Sequence, residues 1–298
     1  MSSPKTVTAR IFRYDPATDP EPTYQTYTVP YERNMRVLDV LDRILEDQHV
    51  SIAYRWFCGI KKCGACALVV NGRPMLSCWE PAQESMTIEP LTNFPIIRDL
   101  VVDTEAYEKV VFSFHPTIVR KNIPRGFPEV ISHTDMEPAY KLMSCLECYV
   151  CTAASPIKNL TGDGVDWAGS PGATALVLFA KAALDPRDTL NRTHLADASG
   201  VKDMPLYSQL EGICPNEIDI LTHAITPLKK KFWPNADMRT QTIDDAPPIF
   251  VKSSKWSVFV KLPEKAKLRL IGDGTLKPAK FRDITEAYIY KLLPESLP

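Results

Sequence analysis

Cys58-Gly59-Ile60-Lys61-Lys62-Cys63-Gly64-Ala65-Cys66, followed by eleven residues and then Cys78, is the stretch on which the fold turns. C-x4-C-x2-C with a distant fourth cysteine is the spacing by which a short loop wraps three thiolates around a 2Fe-2S cluster while a neighbouring strand supplies the fourth. Gly59 and Gly64 suit such a loop, because it must curl tightly and turn backbone N–H groups toward anionic sulfur. The competing use of four cysteines is a structural zinc site, which pairs C-x2-4-C knuckles and commonly includes histidine. The x4 gap argues against zinc, and no histidine lies between His49 and His115.

The flanking sequence predicts a mixed α and β domain. Val7, Ala9 and Ile11 alternate with Thr8, Arg10 and Phe12, the period of a half-buried strand, and Tyr24 to Val29 is rich in β-formers before Pro30. These two segments suit an opening hairpin. Val37, Leu38, Leu41, Ile44 and Leu45 recur at helical spacing, with Asn34 as the expected N-cap. Ala67 to Val70 and Met75 to Leu76 flank Asn71-Gly72, a dipeptide suited to a type I′ hairpin turn. The cysteine loop thus falls between a helix and a hairpin.

A second group, Cys145-Leu146-Glu147-Cys148-Tyr149-Val150-Cys151, is joined by a remote Cys214-Pro215. C-x2-C-x2-C with a distant Cys-Pro is the arrangement for a 4Fe-4S cube, with three ligands on one loop and the last from elsewhere. Zinc remains an alternative for any four thiolates, although successive x2 gaps crowd a zinc knuckle. Around this group the sequence predicts helices. Leu100, Val101, Tyr107, Val110, Val111 and Phe114 have helix-like gaps, and Ala173 to Leu184 is an Ala- and Leu-rich run ended by Asp185-Pro186.

The chain has 298 residues and a formal net charge of -1, which argues against the clustered positive surplus that nucleic-acid binding needs. Its longest apolar stretch, Ala173 to Ala180, is far shorter than the roughly 20 residues that span a bilayer. No secretory-type apolar core opens the sequence, so all eight cysteines are expected to stay reduced, in a cytoplasmic setting. Charge is uneven. Residues 229–298 hold 14 Lys/Arg against 8 Asp/Glu and no cysteine, so they read as a separate basic extension.

The order of the two cysteine groups resembles that of the iron-sulfur subunit of the succinate dehydrogenase and fumarate reductase family, over roughly residues 5–228. Pro95-Ile96-Ile97-Arg98-Asp99-Leu100-Val101-Val102-Asp103 resembles the family's interdomain segment, and Asp185-Pro186-Arg187-Asp188 resembles a further motif of it. The resemblance implies an α+β chain: a β-grasp 2Fe-2S ferredoxin domain over 1–105, an α-helical 4Fe-4S ferredoxin domain over 106–228, and the extension over 229–298. It also implies docking onto a flavoprotein subunit that holds FAD, with the 2Fe-2S domain nearest the flavin.

The sequence departs from the family where the latter carries a third, 3Fe-4S cluster. At those ligand positions stand Ser155, Met204 and Leu210, none of them a normal iron ligand, so the third cluster is expected to be absent. The family's quinone-pocket positions read Lys158, Pro205 and Ala182, which lack the aromatic and imidazole groups found there.

The expected metal ligands are therefore Cys58, Cys63, Cys66 and Cys78 for a 2Fe-2S cluster, and Cys145, Cys148, Cys151 and Cys214 for a 4Fe-4S cluster. The expected role is a relay of single electrons between FAD in the partner subunit and a second redox protein, within a complex acting on a CH–CH bond, with no substrate site and no catalytic residue in this chain. Peripheral attachment to a membrane through partners is compatible with that role. The alternatives are a free two-cluster carrier and a zinc-stapled scaffold. In the extension, Trp233, Trp256, Phe259 and Arg269 are residues suited to a partner interface, against the alternative that the extension packs back on its own helical domain. His49, His115, His133, His194 and His223 are scattered, the Gly-Asp-Gly at 162–164 and 272–274 reads as turns, and Lys229 to Lys231 as a solvated run.

Overall fold

The structure is a computed structural model, and it describes residues 6–121, 129–156, 159–161, 164–167, 171–204, 206–236, 238, 240–241, 249–252, 257–260, 269–271, 274–275 and 288–291. Its described residues divide into two units, one drawn from Met1–Thr104, Cys148–Val165 and Asp245–Pro298, the other from Glu105–Glu147 and Asp166–Asp244. Neither unit is a single continuous segment.

In the first unit, β1 (Thr6–Arg13) and β2 (Thr23–Pro30) form the opening antiparallel hairpin, with Val7 opposite Val29 and Ile11 opposite Gln25. After α1 (Val37–Gln48) come β3 (Ala67–Val70), β4 (Arg73–Leu76) and β5 (Ser85–Glu89). The sheet order is β2-β1-β5-β3-β4, and β1 runs parallel to β5. A five-stranded mixed sheet with α1 against it is the β-grasp arrangement. Val7, Ala9 and Ile11 are buried as the alternation required, and α1 buries Val37, Leu38, Val40, Leu41 and Ile44, all in or beside the same core. Leu45 lies on the exposed side of α1. Asn71 and Gly72 have φ of 49° and 77°, the two positive values that a type I′ turn demands.

Three sequence expectations need correction. The N-cap of α1 is Arg36 rather than Asn34: Asp39 Oδ2 accepts the Arg36 N–H at 2.7 Å, whereas Asn34 sits at φ 64° in the turn before it. No helix begins at Leu100. Val101–Val102 pairs with Ile96–Arg98 as a small hairpin, closed by Asp103 N–H donating to Pro95 O at 2.7 Å, and α2 (Glu105–Ser113) starts after it. Finally, Phe259 is no partner-facing residue. It is 1% exposed, its ring meets that of Phe12 edge-on at 5.1 Å, and its carbonyl accepts from Asn93 N at 2.6 Å. The strand Ser257–Val260 therefore belongs to the core of the first unit, and Tyr14 and Ser257 share a hydroxyl hydrogen bond of 3.0 Å. The part of the extension described there packs on the β-grasp side of its own chain. Trp256 lies outside the described residues, as does the side chain of Arg269.

The second unit is helical, with α2, α3 (His133–Tyr140), α5 (Gly172–Ala183), α6 (Thr193–Ala198) and α7 (Thr226–Phe232); the short α4 (Val150–Ala154) falls in the first unit. α5 buries all its residues except Lys181, which explains its nearly unbroken apolar sequence. A buried Arg192 ties the unit together: it pairs with Asp188 at 2.8 Å and donates to the carbonyls of His115 and Thr117 at 2.7 and 2.8 Å. Trp233 donates its indole N–H to Asp197 at 3.0 Å within this unit. No helix among the described residues is long and apolar enough to cross a membrane.

Candidate metal centre

The eleven residues between Cys66 and Cys78 are accounted for by two four-residue strands, the two-residue turn Asn71-Gly72, and Ser77. Because Ala67 pairs with Leu76, the next residues along the ladder are Cys66 and Ser77, and Ser77 N–H donates to Cys66 O at 3.0 Å. A hairpin of this length thus returns Cys78 to the side of Cys66. Both are buried. Cys58 and Cys63 lie on the loop before β3, half-buried, where Gly59, Lys61 and Gly64 take φ of 68°, 56° and 74°. At Gly59 an added Cβ meets nothing within 4 Å, so glycine is favoured there by backbone conformation rather than space.

That curl aims backbone N–H groups at sulfur. Cys58 Sγ accepts from Lys62 N at 3.3 Å and from Ile60 N and Cys63 N at 3.4 Å. The bonds from Ile60 and Lys62 favour the thiolate and bring the Cys58 thiol down to about 7. Cys78 goes the other way, up to about 11, first because burial disfavours its charged form, a rise that the Lys61 N–H opposes and the neighbouring Cys66 thiol adds to. Cys78 also feels the charge of Cys58, and the hairpin returns it to the side of Cys66. Among the described residues no three His, Cys, Asp or Glu side chains are gathered as around a single metal ion. Two thiols on the loop and two at the ends of the hairpin, with N–H groups already turned to the Cys58 sulfur, fit a two-iron cluster, in which each iron takes two thiolates.

Of the second group, Cys145 and Cys214 share the helical unit. Burial pushes the Cys145 thiol to about 11, and a nearby Cys214 adds to the rise against the opposing pull of the Glu147 N–H. Cys148 and Cys151 lie in the first unit, at the start of α4, where Ser155 Oγ donates to Cys151 O at 2.8 Å. Glu147 and Tyr149, between the cysteines, have φ of 53° and 62°, so this loop also winds through left-handed positions. The four cysteines of this group are thus divided between the two units. Met204, Leu210 and Ala182 are buried, and Lys158 and Pro205 lie outside the described residues.

Two features escaped the sequence reading. Trp56, Phe57, Ile60 and Trp79 are exposed around the first cysteine loop, Phe57 to 81%, with Lys61 Nζ 5.2 Å above the Trp79 ring. Only their nearness to the cysteines could have signalled them. The other is Ser77, whose hydroxyl is buried.

Residues 8–109 match the family described as 2Fe-2S iron-sulfur cluster binding domain. An uncharacterized iron-sulfur protein of Methanocaldococcus jannaschii is 32% identical over 205 residues, 69% of this chain but 40% of that protein, so the chain spans about two fifths of its length. The fumarate reductase iron-sulfur subunit of Haemophilus influenzae is 31% identical over 237 residues, 74% of this chain and 90% of that subunit. Among solved structures, a chain of the Mycobacterium smegmatis Sdh1 complex in the apo form superposes with a TM-score of 0.64 at 24% identity, covering 77% of this chain and 96% of that one, which is a likeness of fold. With identity of 31% sustained over 90% of a subunit's length, the chain belongs to the iron-sulfur subunit family of fumarate reductase and succinate dehydrogenase.

Proposed function

We propose that this chain is the electron-relay subunit of an oxidoreductase complex of fumarate reductase or succinate dehydrogenase type. In this reading Cys58, Cys63, Cys66 and Cys78 hold a 2Fe-2S cluster, and Cys145, Cys148, Cys151 and Cys214 hold a 4Fe-4S cluster. Bound clusters of these types accept and release one electron at a time, which is what splitting the electron pair of a flavin requires. FAD and the substrate site, for a CH–CH bond beside a carboxylate or carbonyl, belong to the partner flavoprotein. Ser155, Met204 and Leu210 leave no thiolates for a third cluster, and Ala182 supplies no quinone-binding group, so the second partner is a protein rather than a quinone bound against this chain. The complex works in the cytoplasm.

The observation that carries the proposal is the loop whose Ile60, Lys62 and Cys63 N–H groups already point at the Cys58 sulfur, beside a hairpin that returns Cys78 to Cys66. The exposed ring of Trp56, Phe57, Ile60 and Trp79 beside it supports a covered surface there, since apolar patches of this kind mark contact sites. The flavoprotein is the partner assigned to that surface. Purification of the tagged full chain from its native cells tests this: an FAD-containing protein at fixed stoichiometry is expected, and Phe57→Asp should release it by weakening the contact by about 2 kcal/mol or more while both clusters stay bound. A chain that purifies alone with both clusters contradicts the assignment. Fast reduction of the complex by a soluble quinol, blocked by quinone-site inhibitors, contradicts the exit to a protein.

A further inference from the structure

Ser77 is fully buried, at 0% exposure, and its Oγ has no hydrogen-bond partner among the described residues. Buried hydroxyls are nearly always bonded, so an orphan of this kind asks for an explanation. The backbone of the same residue is engaged on both sides: its N–H donates to Cys66 O, and its C=O accepts from Leu38 N at the start of α1, each at 3.0 Å. Ser77 is thereby pinned in the gap between two thiol-bearing residues. Cys66 faces it across the ladder and Cys78 follows it in the chain.

We propose that the Ser77 hydroxyl donates a hydrogen bond to a sulfur of the cluster held at the Cys66–Cys78 pair, and that this bond raises the cluster's reduction potential. The inference rests on the reading of Cys58, Cys63, Cys66 and Cys78 as ligands of a 2Fe-2S cluster. A hydroxyl has one proton to donate, and sulfur bearing negative charge is the acceptor that such a cluster brings to this place. Hydrogen bonds to cluster sulfur are one of the levers that set potential. The sign follows from charge: the reduced cluster carries one more negative charge, a bond to a charged acceptor is the stronger one, and the dry surroundings of Ser77 amplify the difference. Donation from Ser77 therefore favours the reduced state. The N–H bonds at Cys58 act on a different ligand.

The test is a potentiometric titration of the cluster-loaded full chain, followed by electron paramagnetic resonance of the reduced 2Fe-2S signal, for the parent, Ser77→Ala, Ser77→Gly and Ser77→Thr. The hydroxyl-free variants are expected to load the cluster and to show a reduction equilibrium constant lowered about tenfold, a drop of about 59 mV for a one-electron couple. Ser77→Thr, which keeps the hydroxyl, should stay near the parent. After exchange into D2O, the reduced parent should show a deuteron coupling that both hydroxyl-free variants lack. An unchanged potential and coupling in a loaded Ala or Gly variant overturns the proposal, and so does failure of both to load, which would make Ser77 a packing residue. Absence of a 2Fe-2S signal from the parent itself would instead remove the ligand reading on which the inference stands.

Discussion

At Cys58 three backbone N–H groups converge on one sulfur, and at Cys78 burial dominates, so two thiols of a single site are pushed in opposite directions. In the cluster-free chain, alkylation of Cys58 should therefore rise with pH through a midpoint near 7, as thiolate forms, while Cys78 stays protonated until pH approaches 11. Mass mapping of alkylated peptides across pH checks this, and one shared midpoint for both residues would contradict it. Asp99 shows a different kind of residue-scale control. It is buried at φ 46° and accepts from Arg13 Nε and Ala53 N at 3.0 Å and from Tyr14 N at 3.1 Å. Asp99→Ala leaves all three donors without their acceptor, and a loss of roughly 2–4 kcal/mol is expected in urea unfolding. A change below about 0.5 kcal/mol would mean that water replaces the carboxylate at no cost.

At the scale of elements, the hairpin around Asn71-Gly72 was legible because its determinants are local: strand period, and two residues that tolerate positive φ. α5 was legible for the same reason. The pairing of Val101–Val102 with Ile96–Arg98 was not, since two valines after a leucine suit a helix as well as a strand, and a non-local bond from Asp103 decides between them. Nor was the place of Phe259 legible, because its ring partner Phe12 lies at the opposite end of the sequence. Its position has a consequence for experiment. Phe259→Ala should destabilise the first unit by about 3–5 kcal/mol, the usual cost of emptying a core aromatic site, and calorimetry of the loaded chain reads it directly. A truncation that removes Ser257–Val260 would accordingly disturb the β-grasp core, and it is no clean test of partner binding. A Phe259→Ala chain as stable as the parent would place this strand outside the core.

Over the whole molecule, the cysteine positions carried the candidate sites from sequence alone, because ligand spacing is a local property of loops. What spacing left unread was the support around them: the N–H groups on Cys58, the orphan hydroxyl of Ser77 and the exposed aromatic ring at the loop, all of which depend on how distant segments fold together. All eight cysteines are assigned to two clusters, with none left for a third. Iron and acid-labile sulfide analysis of the anaerobically purified full chain, combined with electron paramagnetic resonance, tests that assignment most directly. About six irons and about six sulfides per chain are expected, with a reduced 2Fe-2S signal, a reduced 4Fe-4S signal and no 3Fe-4S signal in the oxidised protein. About nine irons with an oxidised 3Fe-4S resonance, or zinc in place of iron, would contradict it.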